Sequence, residues 1–266
     1  MTLYEQLDVS QFRSKPPSFL NAITEVPRTL VEISTLAATL PLLSALPRGD
    51  GHTVMLLPGF LAGDESTAVL RRYLRHMGYT ALPWTLGRNT GKIELLRDLL
   101  PKRFEDLCRA GHGKITLIGQ SLGGVYAREI ARTYPDHIRQ VITLGSPFAV
   151  KHAGATNPVV QRLFEQQTGM TVEQMRSAID ELDPHKTPPV PLTAIYSKGD
   201  GIVHWQVCME AEEDHQTQNI EVLGSHCGMA FNPLIYHIIA DRLSQQDKHW
   251  QKYKMCQLIK ARASTE

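Results

Sequence analysis

From Thr53 onward, short apolar β-branched runs alternate with longer segments whose apolar residues recur at helical spacing. Such runs, bounded by glycine, proline or polar turn residues, read as buried strands. They predict strands over Thr53–Leu57, Tyr79–Leu82, Ile115–Ile118, Ile138–Leu144, Leu192–Ser197 and Asn219–Leu223. Between them, Asp64 reads as the N-cap of a helix through Met77 that stops at Gly78. A second helix runs from Lys92 to about Arg109, kinked or divided by Pro101. A third follows Ser121 and ends near Pro135, and a fourth spans Pro233 to Leu243. Strand and helix in this alternation predict an α/β fold: βαβ units, a mostly parallel sheet and helices on both faces.

The rhythm fails in three places. After Gly145-Ser146-Pro147, the residues Val159, Val160, Leu163 and Phe164 predict a short helix ending at Gly169. Thr171 to Gln174 resembles a capping box opening another, with Met175, Ile179 and Leu182 on one face. This stretch is either a small helical lid insert over the sheet's carboxyl edge or a helical pair packed on the core. Before the first strand, Leu30, Ile33, Leu36, Ala37, Leu40 and Leu43 recur at helical spacing. They predict one or two helices packed on the domain; an apolar face resting on a membrane or shaping a substrate entrance is the alternative. The polar C-terminal residues, with Trp250, Tyr253, Leu258 and Ile259 as a weak amphipathic face, read as a solvated tail helix. The expected organisation is an N-terminal helical extension over 1–50, a core over 51–147 and 190–243, a cap or lid over 148–189, and a tail helix over 244–266.

Composition narrows the function little. A chain of 266 residues is long enough for one well-buried α/β domain, and a net charge of +1 gives no reason to expect nucleic acid. Cys108, Cys208, Cys227 and Cys256 form no C-x-x-C pair and read as reduced structural thiols. No signal peptide is expected at the N-terminus, and the apolar run Ile33–Pro47 is too short to span a bilayer. The expected location is the cytoplasm, with peripheral membrane contact left open and the oligomeric state unassigned.

The chemistry gathers on Lys114 to Ala131, where a buried strand meets a helix through the turn G-Q-S-L-G. Strand, tight turn and helix are the context a G-x-S-x-G nucleophile elbow requires. Gly119 and Gly123, two residues either side of Ser121, let the strand and helix pass without collision, and Gly124 adds clearance. The helix N-terminus sets backbone N–H groups and positive dipole beside the serine. Serine needs a base, and the base an orienting carboxylate. In open parallel sheets such groups gather at the carboxyl ends of the strands. Asp200 and His226 each follow a predicted strand, so the chain order is Ser121, Asp200, His226. His204 rivals His226 as the base; Asp183 and Glu181 rival Asp200, which could also merely cap a turn. Arg88 and Asn89 read as turn residues rather than pocket residues, and Cys227 as a packed small residue rather than a redox switch. No metal-ligand spacing appears.

The segments L-L-P-G-F, G-Q-S-L-G-G, Y-S-K-G-D-G-I-V and G-S-H-C-G-M, spread over residues 52–243, resemble the α/β-hydrolase superfamily and, within it, bacterial serine lipases and esterases. The resemblance implies Ser121 as nucleophile, Asp200 as acid and His226 as general base, with an oxyanion hole from the backbone N–H groups of Phe60 and Leu122. It implies ester hydrolysis through an acyl-enzyme, with no metal or organic cofactor, on a small-molecule or lipid ester. Relatives with aspartate at the elbow (epoxide hydrolases, dehalogenases) or cysteine (dienelactone hydrolases) do not fit. Pro58 departs from the histidine that many lipases carry there, and the support it gives the hole is missing. Acyl transfer, thioester cleavage and a non-catalytic binding role on the same fold are the alternatives. Val159, Val160, Leu163, Phe164, Met170, Met175 and Ile179 suggest an apolar acyl pocket and a preference for medium or long acyl chains.

Overall fold

In the computed structural model, six strands lie side by side in one parallel sheet, in the order β2-β1-β3-β4-β5-β6. The structure describes residues 16–149, 155–171, 174, 186–247 and 249–254. The strands are β1 Thr53–Leu57, β2 Thr80–Pro83, β3 Ile115–Gln120, β4 Ile138–Leu144, β5 Leu192–Tyr196 and β6 Thr217–Glu221. Every pairing is parallel. Two strands keep their expected bounds, β3 runs two residues further towards Ser121, and β2, β5 and β6 shift by one or two residues.

Strand periodicity divides the core in two. Val54, Leu56, Ile118, Ile142, Leu144 and Ile195 point to one face. Met55, Leu57, Leu117, Val141, Leu192 and Ala194 point to the other. Because both faces are covered, β1 is buried at every position, as parallel strands generally are. On the first face pack α2 (Glu25–Leu43), α3 (Ala68–His76) and α7 (Pro233–Ser244). On the second pack α4 (Leu100–Arg109) and α5 (Leu122–Thr133). A short helix α1 (Phe19–Ile23) precedes α2, and α6 (Pro158–Thr168) follows β4.

Three expectations change. Asp64 caps no helix: α3 starts at Ala68, and the Asp64 carboxylate accepts the amides of Trp84 (3.0 Å) and Thr85 (3.2 Å) after β2. The long helix around Pro101 opens with a π-helical segment, Leu95–Leu99, ahead of α4. A proline lacks the amide and clashes with the carbonyl four residues back, so a wide turn accommodates it. The described part of the tail is not helical. Tyr253 is buried against the first core, and its backbone N–H and C=O pair with the Gln218 side chain at 2.6 and 3.1 Å. Gln218 thus extends the hydrogen bonding of edge strand β6 onto the tail; Leu258 and Ile259 lie outside the described residues.

The helix expected to end at Gly169 does so, in α6, with Gly169 in the left-handed region. Thr171 and Gln174 exchange the two hydrogen bonds of a capping box. Met175, Ile179, Glu181, Leu182 and Asp183 lie outside the described residues.

The N-terminal extension is helical as expected, but its inward face is not the one hydrophobicity suggests. Leu36 and Leu43 are buried, whereas Leu30 and Ile33 are exposed. In the first half of α2 the side chains turned inward are polar: Glu25, Arg28, Thr29 and Glu32. The outer face shows Phe19, Leu20, Ile23, Val26, Leu30 and Val31 to solvent. Among the described residues no helix is long and apolar enough to cross a membrane.

Candidate functional site

The carboxyl ends of β1, β3, β5 and β6 meet at one edge of the sheet. Between β3 and α5, Ser121 holds φ 51° and ψ −125°, a conformation that non-glycine residues adopt only when the surroundings impose it. The surroundings are tight. A methyl group on Gly119 would collide with the Gly123 carbonyl and Gly124 Cα, and one on Gly123 would lie 2.6 Å from the Pro58 oxygen. The elbow therefore closes only with glycine at these places. The Ser121 amide is anchored on the Leu144 carbonyl at 2.8 Å, and its side chain is half-buried.

The Pro58-Gly59-Phe60 loop lies against the serine: a methyl on Gly59 would stand 3.2 Å from Ser121 Cβ and 3.9 Å from its Oγ. Among the described residues, neither the Phe60 nor the Leu122 amide donates to a protein acceptor. The next residue, Leu61, has φ 59°, so this loop too is held in an unusual conformation. What holds it is Asn89, which has no solvent exposure. Its Nδ2 donates to the Pro58 carbonyl (2.9 Å), its carbonyl accepts the Leu61 amide (2.7 Å), and its amide donates to Ala62 (2.8 Å). Its Oδ1 accepts the Gly91 amide at 3.1 Å, closing its own turn. Asn89 makes a turn, as expected, and also ties down the loop that lacks the usual histidine.

After β5, Asp200 is buried and uses both oxygens. Oδ1 accepts the amides of Ile202 (2.8 Å) and Val203 (2.7 Å), and Oδ2 accepts from His226 Nδ1 at 2.6 Å. With Nδ1–H committed to the carboxylate, the free lone pair of the imidazole is on Nε2. Burial alone would lower the His226 pKa. The Asp200 charge and hydrogen bond, with a smaller contribution from Glu25, outweigh it and raise the imidazole above its ordinary value. The backbone of the base is tied to the elbow as well: Gln120, the residue before Ser121, donates its amide to the His226 carbonyl at 3.2 Å. No hydrogen bond among the described residues joins Ser121 to His226. His204, the rival base, stacks on Trp205 with ring centroids 5.9 Å apart. Cys227 reaches the surface rather than packing as expected; partial desolvation by its neighbours, reinforced by Glu25 and Asp200, raises its thiol to about 11, so it is protonated at neutral pH.

The helix α6 reaches this edge. The Phe164 ring lies 5.2 Å from that of Phe60, and Gly91 fits beneath it. Val159 and Leu163 on the same helix are exposed. Sequence reasoning passed over Glu25, whose carboxylate sits behind His226. The available signal was the spacing of Glu25, Arg28 and Glu32, the only charges between Phe19 and Pro47, at positions one and two helical turns apart.

A strained serine between a parallel strand and a helix, with a buried imidazole–carboxylate pair at neighbouring strand ends, defines a serine-centred site on a doubly covered parallel sheet. The architecture is that of the α/β-hydrolase fold. Residues 92–178 match a family model described as alpha/beta hydrolase fold. A carboxylesterase of Bacillus subtilis (strain 168) is 27% identical over 160 residues, covering 56% of this chain and 63% of that protein. Of solved structures, the Paleococcus ferrophilus monoacylglycerol lipase aligns with a TM-score of 0.52 at 15% identity, covering 72% of this chain and 96% of that one. Aspergillus fumigatus lipase B aligns at 0.55 and 16%, covering 77% of this chain and 56% of that one.

Proposed function

We propose that the protein hydrolyses carboxylic esters through an acyl-enzyme on Ser121. The observation that carries this reading is the 2.6 Å His226–Asp200 pair, buried next to a serine whose backbone is held at φ 51°. In this reading His226 Nε2 takes the Ser121 proton as Oγ bonds to the ester carbonyl carbon. The carbonyl electron pair moves onto oxygen, where the Phe60 and Leu122 amides stabilise it, each by about 3 kcal/mol. His226 then gives its proton to the departing alkoxide. In the second half a water takes the alcohol's place, His226 receives its proton, and the acid leaves as Ser121 is restored. Asp200 fixes the tautomer throughout.

The apolar contact between Phe60 and Phe164 supports an acyl-binding side at the oxyanion loop, and hence medium or long acyl chains. The similarity to the Bacillus carboxylesterase supports a carboxylic ester as the substrate. The test is covalent labelling with a fluorophosphonate, followed by mapping of the adduct. A Ser121 adduct, with loss of p-nitrophenyl ester hydrolysis, is expected. Labelling of another residue in hydrolytically active protein would refute the reading. Hydrolysis products obtained with added alcohol distinguish water from an alternative acyl acceptor.

A further inference from the structure

The loops that carry Asp200 and His226 come from different strands, and each is bound to the same residue of α2. Glu25 is almost fully buried, 4% exposed, which for a carboxylate demands several donors in compensation. It has them. Oε1 accepts the Gly201 amide (2.8 Å) and the His226 amide (3.0 Å), and Oε2 accepts the Cys227 amide (3.2 Å). One carboxylate therefore grips the residue after the candidate acid and the backbone of the candidate base. Arg28 Nη2 donates to Glu25 Oε1 at 3.2 Å. The same guanidinium donates to the carbonyls of Gly199 (2.7 Å) and Gly224 (3.3 Å), one in each loop. One turn further on, Glu32 accepts the Ser225 amide (3.0 Å), the Ser225 hydroxyl and Asn232 Nδ2 (3.3 Å).

We infer that Glu25 is a positioning residue for the base: the N-terminal helix, through this buried carboxylate, sets the geometry of the His226–Asp200 pair. The inference rests on the reading of His226 as general base. A packing helix would need apolar residues here, as α2 has at Leu36 and Leu43. Instead, three charged side chains bind six residues of two loops: 199, 201, 224, 225, 226 and 227. A carboxylate so placed also acts on the charge state of the imidazole. The groups facing His226 are Asp200 from the β5 loop and Glu25 from α2, with Cys227 next in the chain, Glu32 behind it and Arg28 against Glu25.

Two substitutions separate positioning from packing. Glu25→Gln keeps an acceptor for the Gly201 and His226 amides but removes the charge. Glu25→Ala removes both. The His226 titration is followed by NMR, which needs no activity, together with the low-field N–H resonance of its Nδ1 bond to Asp200. Ester hydrolysis is measured per site titrated with fluorophosphonate. Glu25→Gln is expected to keep the resonance, move the imidazole midpoint downwards and retain most of kcat. Glu25→Ala is expected to lose the resonance and about a hundredfold in kcat at nearly constant KM, the cost of a misplaced catalytic group. If Glu25→Ala does not fold, Arg28→Ala takes its place, with a smaller loss of kcat expected. A midpoint and resonance identical in the wild type and Glu25→Gln, with kcat per site unchanged in Glu25→Ala or Arg28→Ala, would overturn the inference. A wild type that neither labels nor hydrolyses esters would refute the proposed function, and the NMR comparison alone would then decide the role of Glu25.

Discussion

At the scale of single residues, His226 sets two opposed pH dependences. Its pKa is raised in the fold despite burial, because Asp200 and, more weakly, Glu25 favour the imidazolium. As the proposed base, His226 works only when neutral, so kcat/KM should rise with pH along an acid limb whose midpoint lies above about 6.5, the ordinary imidazole value. A pH–rate profile checks this; a midpoint below that value would contradict it. Stability runs the other way. The contribution of His226 is complete below its unfolded pKa and fades as pH rises through the higher folded one. Asn89 offers a second test. Asn89→Ala would strand the buried Pro58 carbonyl and Gly91 amide, a cost of about 1–3 kcal/mol each, and free the strained Phe60 loop. We expect a lower melting temperature and a fall in kcat larger than any change in KM, measured by thermal denaturation and ester kinetics. The places of Ser121, Asp200 and His226 were legible because the elbow's glycines and the strand-end positions are local properties of sequence. Asn89 was legible as a turn residue, but its partners at residues 58–62 are far away in the chain.

At the scale of elements, the sheet was legible because buried parallel strands announce themselves as short apolar runs, and β1 and β4 were read to the residue. Elements that depend on side-chain partners were not. Asp64 looks like a helix cap from its neighbours alone, yet it serves the amides of Trp84 and Thr85 across the β2 turn. Helix α2 shows the same limit: its apolar periodicity marks the inner face only where that face meets the hydrophobic core, at Leu36 and Leu43. Where it meets the loops of the site, the inner face is polar and the apolar residues turn outwards. Helix α6 carries a functional expectation. If Phe60 and Phe164 wall the acyl chain, each added methylene that enters the contact should raise kcat/KM by about fourfold, equivalent to ~0.8 kcal/mol. Measured from acetyl to hexadecanoyl esters, the gain should continue to a definite length. Phe164→Ala should flatten the series while sparing acetyl ester hydrolysis. A maximum at acetyl would reject the long-chain reading.

At the scale of the whole molecule, α2 and the described tail close the structure around the first core, so residues at both ends of the described chain pack on it. Removing residues 1–50 would leave every strand and the elbow in place. It would nonetheless uncover the core beneath Leu36 and Leu43 and remove every acceptor that Glu25 and Glu32 offer the two loops. The shortened protein should melt at lower temperature and label at Ser121 far more slowly, by fluorophosphonate kinetics at matched concentration. The bond from the His226 amide to Glu25 spans 201 residues of sequence. At synthesis rates of roughly 5–20 residues per second, Glu25 leaves the ribosome on the order of ten seconds or more before its partner exists. Such a long-range contact forms late in any case, since chain closure must come first. The nascent protein can thus build β1, β3 and the serine elbow while its base remains unassembled. In the proposed reading, nucleophilic power would switch on only as β6 and its histidine turn dock on a helix made long before them.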